Sequence, residues 1–426
     1  MQIKTVLAAA VLGLALSTAA QAQTATTPAS VATHYAALVH ANYSDTLSAA
    51  QDMQAAIAAF VAAPSADGLA AARKAWLQAR EFYGQTEAFR FYGGPIDDDK
   101  GPEGQINAWP LDEAYVDYVQ GKPKAGLINN PQFKITKANL AKFNERGGEE
   151  NISSGWHAVE FLLWGQDLSE TGPGNRSFED YVDGKTPNAD RRRQFLTVAT
   201  ALLVDDLASV TKAWAPGQKN YRARFEKGGK ESVRKIIVGL GSLSRGELAG
   251  ERMEVALNSQ DQEDEHSCFS DNTHRDIVTN ARGIQNVWLG EYTRVDGSLL
   301  KGASLRDLVA ASNAKAAERV TATAVEFMVA NGTGRFELVM TAVEQNWQFS
   351  AQPTCEDTHS VPRVLSGMYT VSMAFLPSTP IASSHLWVPS ADGFSNTMFG
   401  TRTSACSCSL ARRFLPRSVI SSKSVT

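Results

Sequence analysis

The sequence predicts an all-α protein, two sets of helices followed by an irregular tail. Three observations carry that reading. Between about residues 31 and 330, apolar side chains recur at helical spacing in runs punctuated by Gly and Pro turns. A basic, glycine-containing connection, Ala215-Pro216-Gly217-Gln218-Lys219, separates the two sets. Beyond about Asn331 the chain becomes rich in Ser, Thr, Pro and Arg and keeps neither a helical nor a strand period.

The first 22 residues read as an export signal. Met1 to Ala22 carries Lys4 as its only charge, then the apolar run Val6 to Leu16, then Ala20-Gln21-Ala22, the basic, apolar and small-residue order of a secretory leader. Its apolar part is about a dozen residues, short of the roughly 20 that a membrane-spanning helix needs, and no later run reads as a span. The mature chain is expected to begin near Gln23 and to work in the periplasm, with or without association to the outer membrane.

Each helix has a local reason. Val31 to Ala62 is rich in Ala, Leu and Gln without Gly or Pro, which predicts one long helix. Pro64 to Gly68 breaks it and caps a second helix running to about Phe91. That helix carries Trp76, Arg80, Tyr83, Glu87 and Arg90 on one stripe, three of them charged. Charges on an inward face must be paired or coordinated, so Arg80, Glu87 and Arg90 form either an exposed ladder or part of a site. In the loop Gly93 to Pro102, Asp97, Asp98 and Asp99 lack calcium-loop spacing and read as a solvated tip.

An ordered element starts within Ile106 to Val119, where Pro110 suits a first helical turn and Asp112 and Glu113 favour its N-terminus. Gly121 to Gly148 is irregular. Ser153 or Ser154 caps a short helix that Gly165 ends, and Ser177 to Trp214 is helical again. The second set runs through Ser232 to Leu257, Asp276 to Tyr292 and Ser304 to Val329.

Composition narrows the function. There are 41 basic and 45 acidic side chains, a formal charge of -4, so nothing draws the chain to nucleic acid or to an anionic membrane surface. Of the four cysteines, Cys355, Cys406 and Cys408 fall in the tail and only Cys268 in the helical body, so no disulfide framework spans that body.

Two constellations carry chemistry. In Gly155-Trp156-His157-Ala158-Val159-Glu160, residues three apart on a helix are surface neighbours, so His157 and Glu160 can reach a common point, the beginning of a metal site. The run 263–276 holds Glu263-x-x-His266 and Asp271-x-x-His274. These pairs predict either a second metal or cofactor site or a solvated acidic face.

With these motifs the chain resembles the imelysin-like family, which includes iron-regulated protein A and insulin-cleaving metallopeptidase relatives and carries the signature GxHxxE. Further matching stretches are Glu87 to Phe91, Gly94 to Asp97, Ile106 to Glu113 and Glu263 to His274, so the resemblance covers about residues 30–330. It implies two four-helix-bundle-like domains, here 31–215 with the motif and 216–330. The second is left without its closing helices, because 331–426 departs from the family pattern as a disordered or frameshifted tail. It also implies a metal ion, with His157 and Glu160 as ligands and Glu87 and Asp112 as the completing carboxylates; Arg80 or Arg90 would balance charge or hold an anion.

The family name implies a zinc peptidase, but the motif has a single His, and a ligating Glu160 is not free as general base. Iron rather than zinc is therefore the expected ion, in an iron-uptake role with an outer-membrane component as partner. The alternatives are a zinc metallopeptidase and a non-catalytic interaction module of an outer-membrane iron system.

Overall fold

The computed structural model describes residues 25–169, 172–329 and the two strand segments Arg335–Phe336 and Val371–Ser372. The predicted leader and its cleavage site lie outside the described residues, as does nearly all of the predicted tail. All described elements fall in one compact unit spanning Met1–Pro377.

The first long helix is α1, Pro28–Ala62, whose N-terminus is closed reciprocally: Ser30 N–H donates to Thr27 Oγ1 and Thr27 N–H to Ser30 Oγ. It pairs lengthwise with α2, Ala66–Thr86, capped by Ser65. The α-helix ends at Thr86, sooner than the apolar stripe predicts, and Glu87–Phe89 continues as one tighter turn. Three short helices follow, α3 (Glu103–Ile106), α4 (Glu113–Val116) and α5 (Lys137–Phe143), set in irregular chain as the Gly and Pro content predicts.

The motif helix α6, Gly155–Trp164, is buried at every residue. Behind it lies α7, Ala189–Ala213. This helix corrects the expectation that no internal run could span a membrane: by length and composition it qualifies, with half of its most apolar window buried in the fold. Phe195, Leu196, Leu203 and Leu207 are buried core residues, and the helix packs on α1 and α6.

The second set begins with α8 (Tyr221–Lys227) and α9 (Lys230–Ser242), both against α1. The predicted helix Ser232–Leu257 is continuous but not uniform. Its middle, Leu243–Glu254, winds as a π-helix before α10, Val255–Ser259. Next comes α11, Thr273–Leu289, against α2. Gly84 permits that approach, because a Cβ there would sit 2.0 Å from Thr279 Oγ1. The sequence reading extends this helix to Tyr292. Instead Gly290, at φ +64°, ends it, and Glu291–Thr293 (β1) pairs antiparallel with Leu299–Lys301 (β2). Helices α12 (Leu305–Ala310) and α13 (Ala314–Val329) complete the helical body. The last two strand segments pair with each other, Arg335 opposite Ser372 and Phe336 opposite Val371.

Candidate functional site

The site is built where α2, α6 and α11 meet the loop 265–272. Helix α6 starts at Gly155, at φ +83°, where a Cβ would stand 2.5 Å from the Ile106 carbonyl oxygen. A glycine is therefore required for the helix to begin so close to that backbone. The placement buries His157 and Glu160, at 1% and 0% exposure.

His157 and Glu160 are neighbours, as their spacing predicts, and they bond to each other. Glu160 Oε2 lies 2.9 Å from His157 Nδ1, while Glu160 Oε1 accepts from the Ser270 amide and hydroxyl at 3.0 and 2.6 Å. Glu160 thus stands behind the imidazole, and the other ring nitrogen faces forward. There it meets His266: the two Nε2 atoms are 3.1 Å apart and the rings cross at 77°. His266 mirrors the arrangement, with Asp276 Oδ2 2.7 Å from its Nδ1. Ser267 Oγ donates to the same oxygen at 2.5 Å, and Arg80 pairs with Asp276 Oδ1 at 2.9 Å.

Ser267 and Asp271 both have positive φ, +62° and +55°, on either side of the turn Cys268–Ser270. Backbone in this region costs about 1–3 kcal/mol per residue and persists where its surroundings fix it. Here the turn delivers Ser270 to Glu160 and His266 to His157. Trp109 covers both imidazoles, with ring centroids 4.7 Å from His157 and 6.0 Å from His266, and Phe269 packs beside it at 5.8 Å.

The proton positions follow from the partners. Asp276 is held well below the usual carboxylate range: burial opposes ionisation, but Arg80 and the hydrogen bonds from His266 and Ser267 override it. An ionised Asp276 makes His266 a donor at Nδ1 and an acceptor at Nε2. His157 must then donate from Nε2, which leaves its Nδ1 to accept from Glu160. Burial, opposed by the Ser270 hydrogen bonds, pushes Glu160 up to about 8, so its carboxyl carries that proton at neutral pH. Burial, then the charge of Arg80, holds His157 well below its ordinary value; burial, then Arg252, holds His266 down at about 3. The result is one directed chain of hydrogen bonds, Glu160 to His157 to His266 to Asp276, in which two neutral imidazoles share a single proton.

The remaining predicted residues go elsewhere. Glu87 is buried at 1% exposure beside this chain, but Arg90 and Arg252 hold its Oε2 at 2.6 and 3.0 Å, and Asn107 reaches Oε1 at 3.5 Å. Burial raises its pKa while Arg90 and Arg252 lower it further, leaving it at about 2. Asp112 is exposed and caps α4 by accepting from the Ala114 amide at 2.9 Å, the role its place at a helix start also predicts. Arg80 joins Asp276 to Asn107 Oδ1, at 2.6 Å.

The second constellation is divided. His266 belongs to the His157 centre, while Glu263, exposed, lies among Glu113, Asp261 and Asp167 and is raised to about 7 by partial desolvation and their charges. His274 is exposed and its Nδ1 bonds the Asp271 carbonyl oxygen. Asp276, the residue that orients His266, is absent from both predicted pairs.

Among the described residues no three His, Cys, Asp or Glu groups converge on one point. What the site offers a cation is two imidazole nitrogens. Their spacing fits: two nitrogens bound at about 2.0–2.1 Å to one tetrahedral ion stand roughly 3.3–3.4 Å apart, against 3.1 Å here. A carboxylate behind each metal-facing imidazole is also the usual support for such ligands.

These features sit in an all-helical member of the imelysin family, to which the chain belongs: the family's sequence profile, described as Imelysin, matches residues 39–328. The chain is 28% identical over 268 residues to iron-regulated protein A of Synechococcus elongatus, covering 60% of this chain and 62% of that relative's length. Among solved structures the fold is similar to a protein assigned as an iron-regulated protein A precursor of Parabacteroides distasonis, with a TM-score of 0.54 at 18% identity over 73% of this chain and 87% of that one. It is also similar to an imelysin-like protein of Psychrobacter arcticum, with a TM-score of 0.50 at 15% identity over 75% and 90% of the two chains.

Proposed function

We propose that this imelysin-family protein binds iron as cargo between His157 and His266, and that it does so as an exported protein serving iron uptake. The observation that carries the reading is the facing pair of imidazoles, each backed by a carboxyl group, with their inner nitrogens 3.1 Å apart. Two neutral imidazoles that share one proton give it up to take a cation at both Nε2 atoms. Glu160 balances that exchange: as its Oε2 proton leaves, His157 moves its own N–H to Nδ1 and frees Nε2. Imidazole donors suit iron as well as zinc, and the choice of iron rests on the iron-regulated relatives. Transfer to or from an outer-membrane component is the corresponding partner reaction.

The zinc-peptidase reading draws less support from this geometry. Both oxygens of Glu160 are engaged, so it does not stand free as a base for water. The imidazoles are buried at 1% and 4% exposure, where a polypeptide would have to displace Trp109 to reach them.

The test is iron and zinc analysis of the purified mature protein after reconstitution, beside His157→Ala and His266→Ala. Iron retained by the wild type and lost in both variants supports the reading. Equal metal content in all three would overturn it.

A further inference from the structure

The polar network around the histidine pair leaves several buried hydrogen-bond donors unpartnered among the described residues. Five side-chain donors have no partner among the described residues: Arg80 Nε, Tyr83 O–H, Arg90 Nε, Trp156 Nε1 and Arg252 Nε. All five residues are more than nine-tenths buried. Three of them form one cluster. The Arg80 guanidinium lies 5.3 Å from the Tyr83 ring and 5.8 Å from the Trp156 ring, and those two rings are 5.3 Å apart. Arg90 and Arg252 join through Glu87, and Arg80 through Asn107.

The acceptors of this network are already in use. Glu87 and Asp276 accept at both oxygens, Glu160 accepts at Oε1 and gives its Oε2 proton to His157, the Asn107 and Asn280 carbonyls take Arg80 and Arg252, and the partly exposed Glu103 and Glu247 pair with the ends of Arg90 and Arg252. A buried donor left unpaired costs about 1–3 kcal/mol, so a concentration of them in one place indicates a missing partner. Water corrects such an imbalance poorly, because each molecule brings two donors of its own. An anion brings acceptors only.

We propose that Arg80, Tyr83 and Trp156, with Arg90 and Arg252 beside them, form a binding site for a small oxyanion of the carboxylate or carbonate type next to the histidine pair. Trp156 precedes His157 in the chain, and Arg80 reaches Ser267 Oγ at 3.4 Å, next to His266. An anion held there lies alongside the iron site and supplies the oxygen donors that two imidazoles leave wanting. That co-ligand role rests on the function proposed above; the excess of donors does not. The oxyanion comes either free, as bicarbonate or acetate, or as a carboxylate of an iron chelate such as citrate.

The test uses the mature, metal-free protein with sodium bicarbonate, acetate, citrate or, as control, chloride at matched ionic strength, following thermal unfolding and calorimetric binding. The wild type and His157→Ala are expected to bind and be stabilised by a carboxylate-type anion, and not by chloride. Tyr83→Phe should weaken that binding roughly tenfold, the loss of one hydrogen bond to a charged group, while its anion-free melting temperature stays level or rises because an unpaired O–H is gone. Response to bicarbonate or acetate identifies a free anion, and response to citrate alone identifies a chelate. Absence of binding by any of the three, an equal response to chloride, or a Tyr83→Phe melting temperature lowered equally with and without anion would each overturn the inference. Iron binding indifferent to all three anions would remove the co-ligand role and leave the iron site standing. Anion binding without iron binding would do the reverse.

Discussion

Among the described residues, two buried charged clusters are built differently. At Asp117, Arg192 donates to both carboxylate oxygens at 2.6 and 3.0 Å, and Arg176 adds a bond at 2.8 Å and bridges to Asp180 at 3.2 Å. Opposite charges face each other, two against two, and they tie the chain after α4 to the turn Phe178–Tyr181 and to α7. At the centre of α2, α6 and α11, like faces like: imidazole against imidazole, with five donors left over where the Asp117 cluster leaves Arg176 Nε alone. A buried charge is tolerable when paired. The first cluster acts as a clamp; the second also pairs its charges, Arg80 with Asp276 and Arg90 and Arg252 with Glu87, but leaves the five donors that the proposal above assigns to a ligand.

The contrast can be broken most forcefully at the clamp. Asp117→Ala leaves two buried arginines short of their partner and should cost about 3–5 kcal/mol of stability, read by urea unfolding, while the folded fraction binds iron as the wild type does. Loss of iron with intact stability would mean that the two clusters had been assigned the wrong way round.

A smaller effect belongs to the centre. Glu160→Gln keeps the shape of the group behind His157 but cannot carry the negative charge that balances a bound cation. Iron affinity in competition with a chelator should fall about 10–100-fold, with little change in far-ultraviolet circular dichroism. Unchanged affinity would show that the support behind His157 is irrelevant to binding.

Acidity separates the two clusters further. Glu160 is protonated when folded up to about pH 8 and ionised when unfolded above its ordinary value near 4.5, so the folded state binds the extra proton between those limits. Stability of the metal-free protein therefore falls as pH rises through that window. His266 acts oppositely at lower pH: between about 3 and 6.5 the unfolded imidazole is protonated and the folded one is not, so stability rises with pH there. Urea unfolding of wild type and Glu160→Gln at pH 5 to 8 should show the steeper decline in the wild type, because Glu263, raised to about 7, contributes equally to both. A parallel decline in both would assign it to other groups.

The smallest effect is expected at Asp112. Removing its cap in Asp112→Ala should cost about 1 kcal/mol and leave iron binding untouched; a loss of iron would restore it as a ligand.

The sequence made the helical pairs and the His157 turn legible because both are local. Periodicity placed α1 and α7, and three-residue spacing put Glu160 beside His157. Spacing could not say whether the carboxylate would share an ion with the imidazole or stand behind it, since both use the same turn of helix. It also could not join His266 to His157, 109 residues away, because that contact depends on two left-handed residues in the loop 265–272 and on the docking of α11 against α2. Asp276 was hidden by its position in the first turn of α11, where an acidic residue already has a reason to be. Glu87 was marked by its place on an apolar stripe. Its pairing with Arg252 comes from a π-helical stretch that no sequence period announces.

Iron held as proposed lies between the facing imidazoles. Crystals of the mature protein soaked with ferrous iron and measured at the iron absorption edge should show an anomalous peak within bonding distance of the Nε2 atoms of His157 and His266. A peak placed instead at Glu87 or Asp112, or no ordered iron in protein that binds it in solution, would contradict the account.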